Sequence, residues 1–256
     1  MQKNALPITL ATLVAGIFGA FLRWLQTRNI FDENGLAIRG AGISIVYVIY
    51  SVLVLAAVCV LVSMLLKQYA APKDAAAALA DPTAFPFAVA CVLAAAFVCC
   101  AVVMMFTTGS AKFPMMQRIF GAFGIFAGLC LPFLPAKRTG GHGSFSAAAS
   151  VVLTLFCCYW LVFAYRLNAE NPVIWAYAPE MLAVVTTTLA FYYIAAFFYD
   201  RARPNRALTA VLAAVFFDCS VIFDARSAAL TGLFAVSALM LLMIEYLFLS
   251  NLKETV

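Results

Sequence analysis

Charged residues are scarce in this sequence. Only 11% of its 256 residues are Asp, Glu, Lys or Arg, whereas 66% are hydrophobic and the mean hydropathy is +1.03. An ordinary soluble protein has about 25% charged residues, which it needs for a polar exterior. The shortage of charge excludes the soluble and disordered classes. It predicts that lipid is the solvent for most of the surface.

Histidine and the spacings of metal motifs are also lacking. The sequence holds one histidine, His142, and its eight cysteines lie in apolar runs without C-x-x-C spacing. Buried cysteines behave as small hydrophobic residues, and one imidazole cannot build a zinc site. We therefore expect no metal and no cofactor.

A single block that holds most of the basic residues is absent as well, although the formal net charge is +5. The Lys and Arg residues are spread over nearly every connecting segment, and nucleic-acid binding needs them concentrated on one face. We expect no nucleic-acid partner.

Long apolar runs are what the sequence does contain. Each run bounded by charges, proline or glycine is near the length of about 20 residues that crosses a bilayer as a helix. The first run is longer than a signal-peptide core and has no clear cleavage site, so it is interpreted as a retained span. The predicted fold is all-α, a polytopic transmembrane bundle that forms one integral membrane domain over residues 1–256. The eight predicted spans are 6–25, 43–66, 84–107, 119–134, 146–165, 173–199, 207–223 and 228–249.

Three connections have patterns of their own. The Asn-Gly step within residues 29–38 predicts a small surface β-hairpin, and residues 75–80 favour a short helix. The glycine-rich segment 137–144 lacks the order of a phosphate-binding loop, so we interpret it as a flexible turn.

Glycines in the first and fourth spans, Gly19, Gly121, Gly124 and Gly128, predict close helix packing. We interpret both spans as lying inside the bundle.

An even number of spans places both termini on one side of the membrane. Nine Lys and Arg residues lie on the terminal side and seven on the other, with Arg201, Arg203 and Arg206 grouped before the seventh span. Because cytoplasmic loops carry the excess of basic residues, we predict a bacterial cytoplasmic membrane protein with both termini cytoplasmic.

Acidic residues inside spans are the most informative side chains, because a charge at a span centre costs about 2.5–3.5 kcal/mol on insertion scales. They are Glu180, Asp218 and Glu245. Counting the helical rise places Glu180 about 10 Å and Asp218 about 9 Å from the external face. Glu245 lies near the opposite face, where a basic residue such as Lys67 or Arg206 can reach it.

The matching depths predict a polar pocket in the external third of the bundle. Its predicted members are Glu180, Asp218, Tyr47, Tyr159 and one arginine, either Arg23 or Arg166. Such a pocket would bind a small polar or cationic solute, or pass a proton. The alternative is that the same acids form structural ion pairs with arginine.

Two classes of function remain open. The favoured one is a small-solute transporter, or a membrane subunit of one; the alternative is a non-transporting scaffold or assembly partner of other membrane subunits. An enzyme is not expected, because neither a serine–histidine pair within spans nor a pair of facing aspartates is present. The sequence contains no motif that names a substrate or a reaction.

Overall fold

Eight long helices, labelled α1 to α8, make up most of the chain. The computed structural model describes residues 5–30, 42–72, 74–81, 83–107, 112–137, 144–171, 173–224 and 226–254. The helices are α1 (Ala5–Ile30), α2 (Gly42–Gln68), α3 (Phe85–Phe106), α4 (Pro114–Cys130), α5 (Ser144–Asn168), α6 (Ile174–Phe198), α7 (Pro204–Ser220) and α8 (Ala228–Ser250).

The prediction of an all-α membrane bundle is confirmed. All the long helices except α7 are long and apolar enough to cross a membrane, which makes seven candidate spans. Helix α4 reaches that length, 20 residues, together with the 3-10 turn that continues it to Phe133. Each of the eight helices overlaps the predicted span of the same order. The agreement follows from the thickness of the hydrocarbon layer, which sets the length of an apolar helix.

Helix α7 is the predicted seventh span, but at 17 residues it is shorter than the candidate spans. It lies against α1, α2, α6 and α8 and is the centre of its half of the bundle. Its residues from Val211 to Ser220 are all buried. A helix enclosed by other helices needs no lipid-facing stripe.

Successive helices run in alternating directions, so both ends of the described chain lie at one end of the bundle. Strand β1 (Tyr69–Ala70), which follows α2, pairs with β4 (Lys253–Glu254), which follows α8. Strand β2 (Ala80–Asp81) pairs with β3 (Ala136–Lys137). We call this the terminal end, and the end that holds the α7–α8 connection the distal end.

Close approach at glycine holds two helix pairs together. A Cβ atom at Gly19 would lie 2.9 Å from a ring carbon of Phe216 on α7, and one at Gly121 would lie 2.7 Å from the carbonyl oxygen of Ala101 on α3. The glycines therefore do pack helices closely, as predicted. Neither α1 nor α4 lies inside the bundle, however, since both expose large apolar side chains, including Val14 on α1.

Aromatic side chains fill the half of the bundle formed by α3, α4, α5 and α8. Trp160 on α5 is fully buried, with the rings of Phe120, Phe156 and Phe234 within 6 Å of its own. Such rings bury large apolar areas and hold one another by edge and offset contacts.

The predicted short helix after α2 is present as a single turn, Ala75–Ala78. The side-chain amide of Asn251 donates to the carbonyls of Ala78 and Ala80 and holds this turn against the end of α8. The predicted hairpin at 29–38 and the flexible turn at 137–144 lie largely outside the described residues.

Candidate functional site

Arg23 on α1 is the most completely bonded polar side chain at the distal end, and it is 1% exposed. Its Nε donates to Oδ1 of Asp224 at 2.7 Å, and Nη2 donates to Oδ2. Nη1 donates to the side-chain oxygen of Gln26 and to the carbonyl of Trp175. Nη2 also donates to the carbonyl of Ala176. All five N–H groups of the guanidinium are therefore used.

One of these acceptors, the carbonyl of Trp175, has no helical donor because of a proline. Pro179 lies inside α6 and has no N–H to donate to the carbonyl of Trp175, four residues earlier. That carbonyl is partly buried and lacks its helical donor, so a donor from elsewhere can satisfy it. The guanidinium of Arg23 supplies it, at 3.1 Å. The guanidinium of Arg23 thus replaces the helical hydrogen bond that Pro179 cannot make in α6.

Asp224 connects two arginines. Besides Arg23 it contacts Arg226, whose Nη2 donates to Oδ2 of Asp224 at 2.8 Å. Nη1 of Arg226 lies 2.9 Å from Oε1 of Glu180, and Oε2 of Glu180 accepts from the amide of Asn168. Two cations therefore face two carboxylates, and the formal charges balance.

Neutral partners extend the cluster to further helices. Gln26 donates from its amide to the hydroxyl of Ser44 on α2, and the guanidinium of Arg226 lies 5.6 Å from the ring centre of Phe234 on α8. We call the set of Arg23, Asp224, Arg226 and Glu180 the distal ion network. It joins α1 and α6 through the α7–α8 connection, and Asn168 adds α5.

The structure brings together some of the residues predicted for the pocket and separates others. Arg23 and Glu180 belong to the distal ion network. Tyr47 is buried and its hydroxyl lies 3.1 Å from that of Ser220 on α7. Tyr159 donates instead to the carbonyl of Met116 on α4. Arg166 is exposed near the end of α5 and is not part of the network.

Asp218 lies deeper than Glu180, although the two depths were predicted to match. Its carboxylate accepts from the hydroxyl of Thr187, which follows Glu180 by seven residues on α6 and so lies about 10 Å farther along the axis. The reason is that Glu180 is level with Asp224, beyond the end of α7. Helix α6 begins at Ile174, about two turns farther toward the distal side than Glu180. The distal ends of α6 and α7 therefore lie at different depths, and residues counted from those ends are not level with each other.

Asp218 and Glu245 differ from the network acids in having only hydroxyl partners among the described residues. Asp218 is fully buried and bonds Thr187 at 2.8 and 2.9 Å. Glu245 is also fully buried; Oε1 accepts from Thr12, and Oε2 has no partner within the described part of the chain. The basic partner that we considered for Glu245, Lys67 or Arg206, is not among its contacts there.

Sequence reasoning missed the roles of Asp224 and Arg226, which were not among the residues predicted for the pocket. The available signal was the length of their connection. Only four residues, 224–227, join the seventh and eighth predicted spans, and so tight a hairpin keeps both side chains against the bundle.

Neutralising Asp218 is expected to cost little stability. Asp218→Asn keeps an acceptor for Thr187 and leaves no described cation without a partner, so the free energy of unfolding should change by less than about 1 kcal/mol. Thr187→Val removes the donor from a buried carboxylate and should cost about 1–3 kcal/mol. Unfolding by SDS in mixed micelles measures both. A loss for Asp218→Asn larger than that for Thr187→Val would show that the acid has a charged partner.

Taken together, the helices and their ion network define a multi-pass helical membrane protein. Comparison with protein-family models, with curated proteins and with solved structures finds no match to this chain. Its function is therefore argued from its own side chains.

Proposed function

We propose that this chain is a non-transporting integral membrane protein, a scaffold or assembly partner of other membrane subunits, in which the distal ion network joins the helices. One observation carries the proposal: the network is balanced in charge, and every N–H of its most buried arginine is already bonded. A solute would have to displace these bonds to bind there. The network is therefore better suited to holding helices than to binding and releasing a ligand.

The positions of the larger grooves support the same proposal. A groove of about 450 Å³ lies beside Tyr192 and Arg203 at the terminal end, and one of about 650 Å³ lies between aromatic side chains such as Phe126 and Phe145. Neither is lined by Glu180 or Asp218. The polar cluster and these grooves are separate features of the molecule.

The membrane assignment is part of the proposal. We place the chain in a bacterial cytoplasmic membrane with both termini cytoplasmic, because the terminal side carries nine basic residues against seven. No catalytic role is proposed.

Transport of a small polar or cationic solute, or of a proton, is the second candidate, and Asp218 is the observation that favours it. An acid buried in a membrane bundle marks an ion or proton pathway unless it is paired. Asp218 lies on the central helix and has only a hydroxyl partner among the described residues. Tyr47, which contacts Ser220 on the distal side of Asp218, and the distal ion network would then close the distal side of such a path.

Thermal-shift screening of the purified protein against a solute library separates the two proposals. A ligand that binds only the folded state raises the melting temperature. A scaffold predicts no solute that stabilises the wild type. A solute that raises the melting temperature of the wild type by several degrees, but not that of Asp218→Asn, would overturn the scaffold proposal in favour of transport. Glu170→Gln, an exposed site, is the control variant and should keep any such response.

A further inference from the structure

A groove of about 450 Å³ at the terminal end is lined by three arginines, Arg201, Arg203 and Arg206. All three side chains are exposed. The ion pairs formed within the described ranges involve other residues, and no Asp or Glu is among the described side chains that line the groove. Three positive charges therefore face one concave surface.

The turn between α6 and α7 brings the arginines together. Asp200 adopts a left-handed conformation, with φ of 54°, and the backbone N–H of Arg201 bonds back to the carbonyl of Ala196 at 3.0 Å. This pattern ends a helix and reverses the chain. Helix α7 then begins at Pro204, whose fixed φ suits the first helical position. Within six residues, three guanidinium groups are thus placed around one helix end.

The rest of the groove wall is mainly apolar and aromatic, with Thr154 as its one hydroxyl outside the tyrosines among the described lining residues. Val151 and Leu155 on α5 and Tyr192 on α6 are exposed large side chains that line it. Tyr199 lies at the arginine end and Tyr192 two turns away, so this part of the groove extends about 10 Å along the helix axis. The groove therefore has a cationic end at the level of the helix termini and an apolar wall on the membrane-facing side of two candidate spans.

We propose that this groove binds the phosphate group of an anionic phospholipid, with its acyl chain lying along the α5–α6 wall. Guanidinium groups bind phosphate oxygens through paired hydrogen bonds, and tyrosine side chains favour the headgroup level. The groove volume is within the range of about 300–1,000 Å³ that small-molecule sites occupy. A soluble phosphate would use the arginines but not the apolar wall, which is why we assign the site to a lipid. The proposal does not depend on which face of the membrane is cytoplasmic.

Native mass spectrometry of the detergent-purified protein tests the site with phosphatidylglycerol and with zwitterionic phosphatidylcholine as probes. Phosphatidylglycerol should bind more tightly than phosphatidylcholine. Arg203→Gln should weaken phosphatidylglycerol binding about fivefold and Arg203→Gln/Arg206→Gln about 25-fold, because each cation near an anionic headgroup contributes roughly 1 kcal/mol. Arg166→Gln, an exposed arginine near the distal end of α5, is the matched control and should bind like the wild type. All of these positions are exposed, so the variants should fold, and their melting temperatures verify it.

Two further measurements separate the sources of phosphate. Leu155→Gln should weaken binding of phosphatidylglycerol and leave binding of glycerol 3-phosphate unchanged. Equal binding of the two phospholipids, or equal binding by wild type and the double arginine variant, would overturn the proposal. So would displacement of the lipid by an equal concentration of glycerol 3-phosphate, which would assign the groove to a soluble phosphate.

Discussion

Replacing Asp224 by asparagine should lower the free energy of unfolding by about 3–5 kcal/mol, which is the cost of breaking a buried ion pair from one side. Among the described residues, Asp224 is the one acid that forms ion pairs with both arginines of the distal ion network. Asparagine keeps an oxygen acceptor, but it leaves Arg23, which is 1% exposed, without its carboxylate. Unfolding by SDS in mixed micelles measures the change.

An exposed ion pair provides the matched control. Lys112 and Glu170 lie 2.6 Å apart, but their side chains are 42% and 72% exposed. Such pairs contribute about 0–1 kcal/mol, because water screens them and ordering two flexible side chains is costly. Glu170→Gln should therefore have almost no effect. Equal losses for Glu170→Gln and Asp224→Asn would contradict the assignment of the distal network as a structural element.

A double-mutant cycle isolates the pair itself. Arg23→Met removes the cation that Asp224→Asn leaves unpaired, so the loss in the double variant should be smaller than the sum of the two single losses. Residues in one ion network show coupling energies of about 0.5–3 kcal/mol. Methionine also leaves the carbonyls of Trp175 and Ala176 without their donor, so the double variant should remain less stable than the wild type. Exact additivity would mean that the contact between Arg23 and Asp224 contributes nothing.

Enlarging Gly121 is expected to have the second large effect. A Cβ atom there would lie 2.7 Å from the carbonyl oxygen of Ala101, 2.7 Å from Cβ of Met105 and 2.8 Å from the backbone N of Met105. Two of these atoms belong to the α3 backbone, which cannot move without shifting the helix. Gly121→Leu should therefore cost about 3 kcal/mol, at the upper end of the overpacking range.

Smaller substitutions keep this test decisive if the leucine variant does not fold. Gly121→Ala should still lose stability, although alanine favours helix by about 1 kcal/mol over glycine. Gly42→Ala is the control, because nothing lies within 4 Å of a Cβ placed there. Melting temperatures in one detergent compare the pair. A Gly121→Ala variant as stable as Gly42→Ala would show that α3 and α4 do not need their close approach.

Much of the fold could be predicted because the bilayer imposes it. Helix α3, for example, was predicted over residues 84–107 and observed over Phe85–Phe106. The apolar run itself sets such bounds, since a charged or turn-forming residue at its end marks the edge of the hydrocarbon. The seventh predicted span is the exception, because α7 has 17 residues, is not among the candidate spans and is packed against other helices more than against lipid.

The site was less predictable, because it depends on how helices are offset along the membrane normal. Glu180 and Asp218 were both found as membrane acids from their positions in apolar runs. Sequence spacing could not assign their partners, which are Asn168 and Arg226 for Glu180, and Thr187 for Asp218. The distal ends of α6 and α7 are offset by about two turns along the membrane normal, and this offset decides which of their residues lie at the same depth. The sequence of one helix does not encode the axial position of another.

The amino-acid sequence by itself therefore determined that this chain is a multi-pass helical membrane protein and which segments are its helices. Both follow from local physics, since apolar length and the cost of buried charge can be evaluated one segment at a time. Only the tertiary structure decided that Arg23 pairs with Asp224 and that Asp218 does not join them. The contact between Arg23 and Asp224 joins residues 201 positions apart and depends on the packing of whole helices.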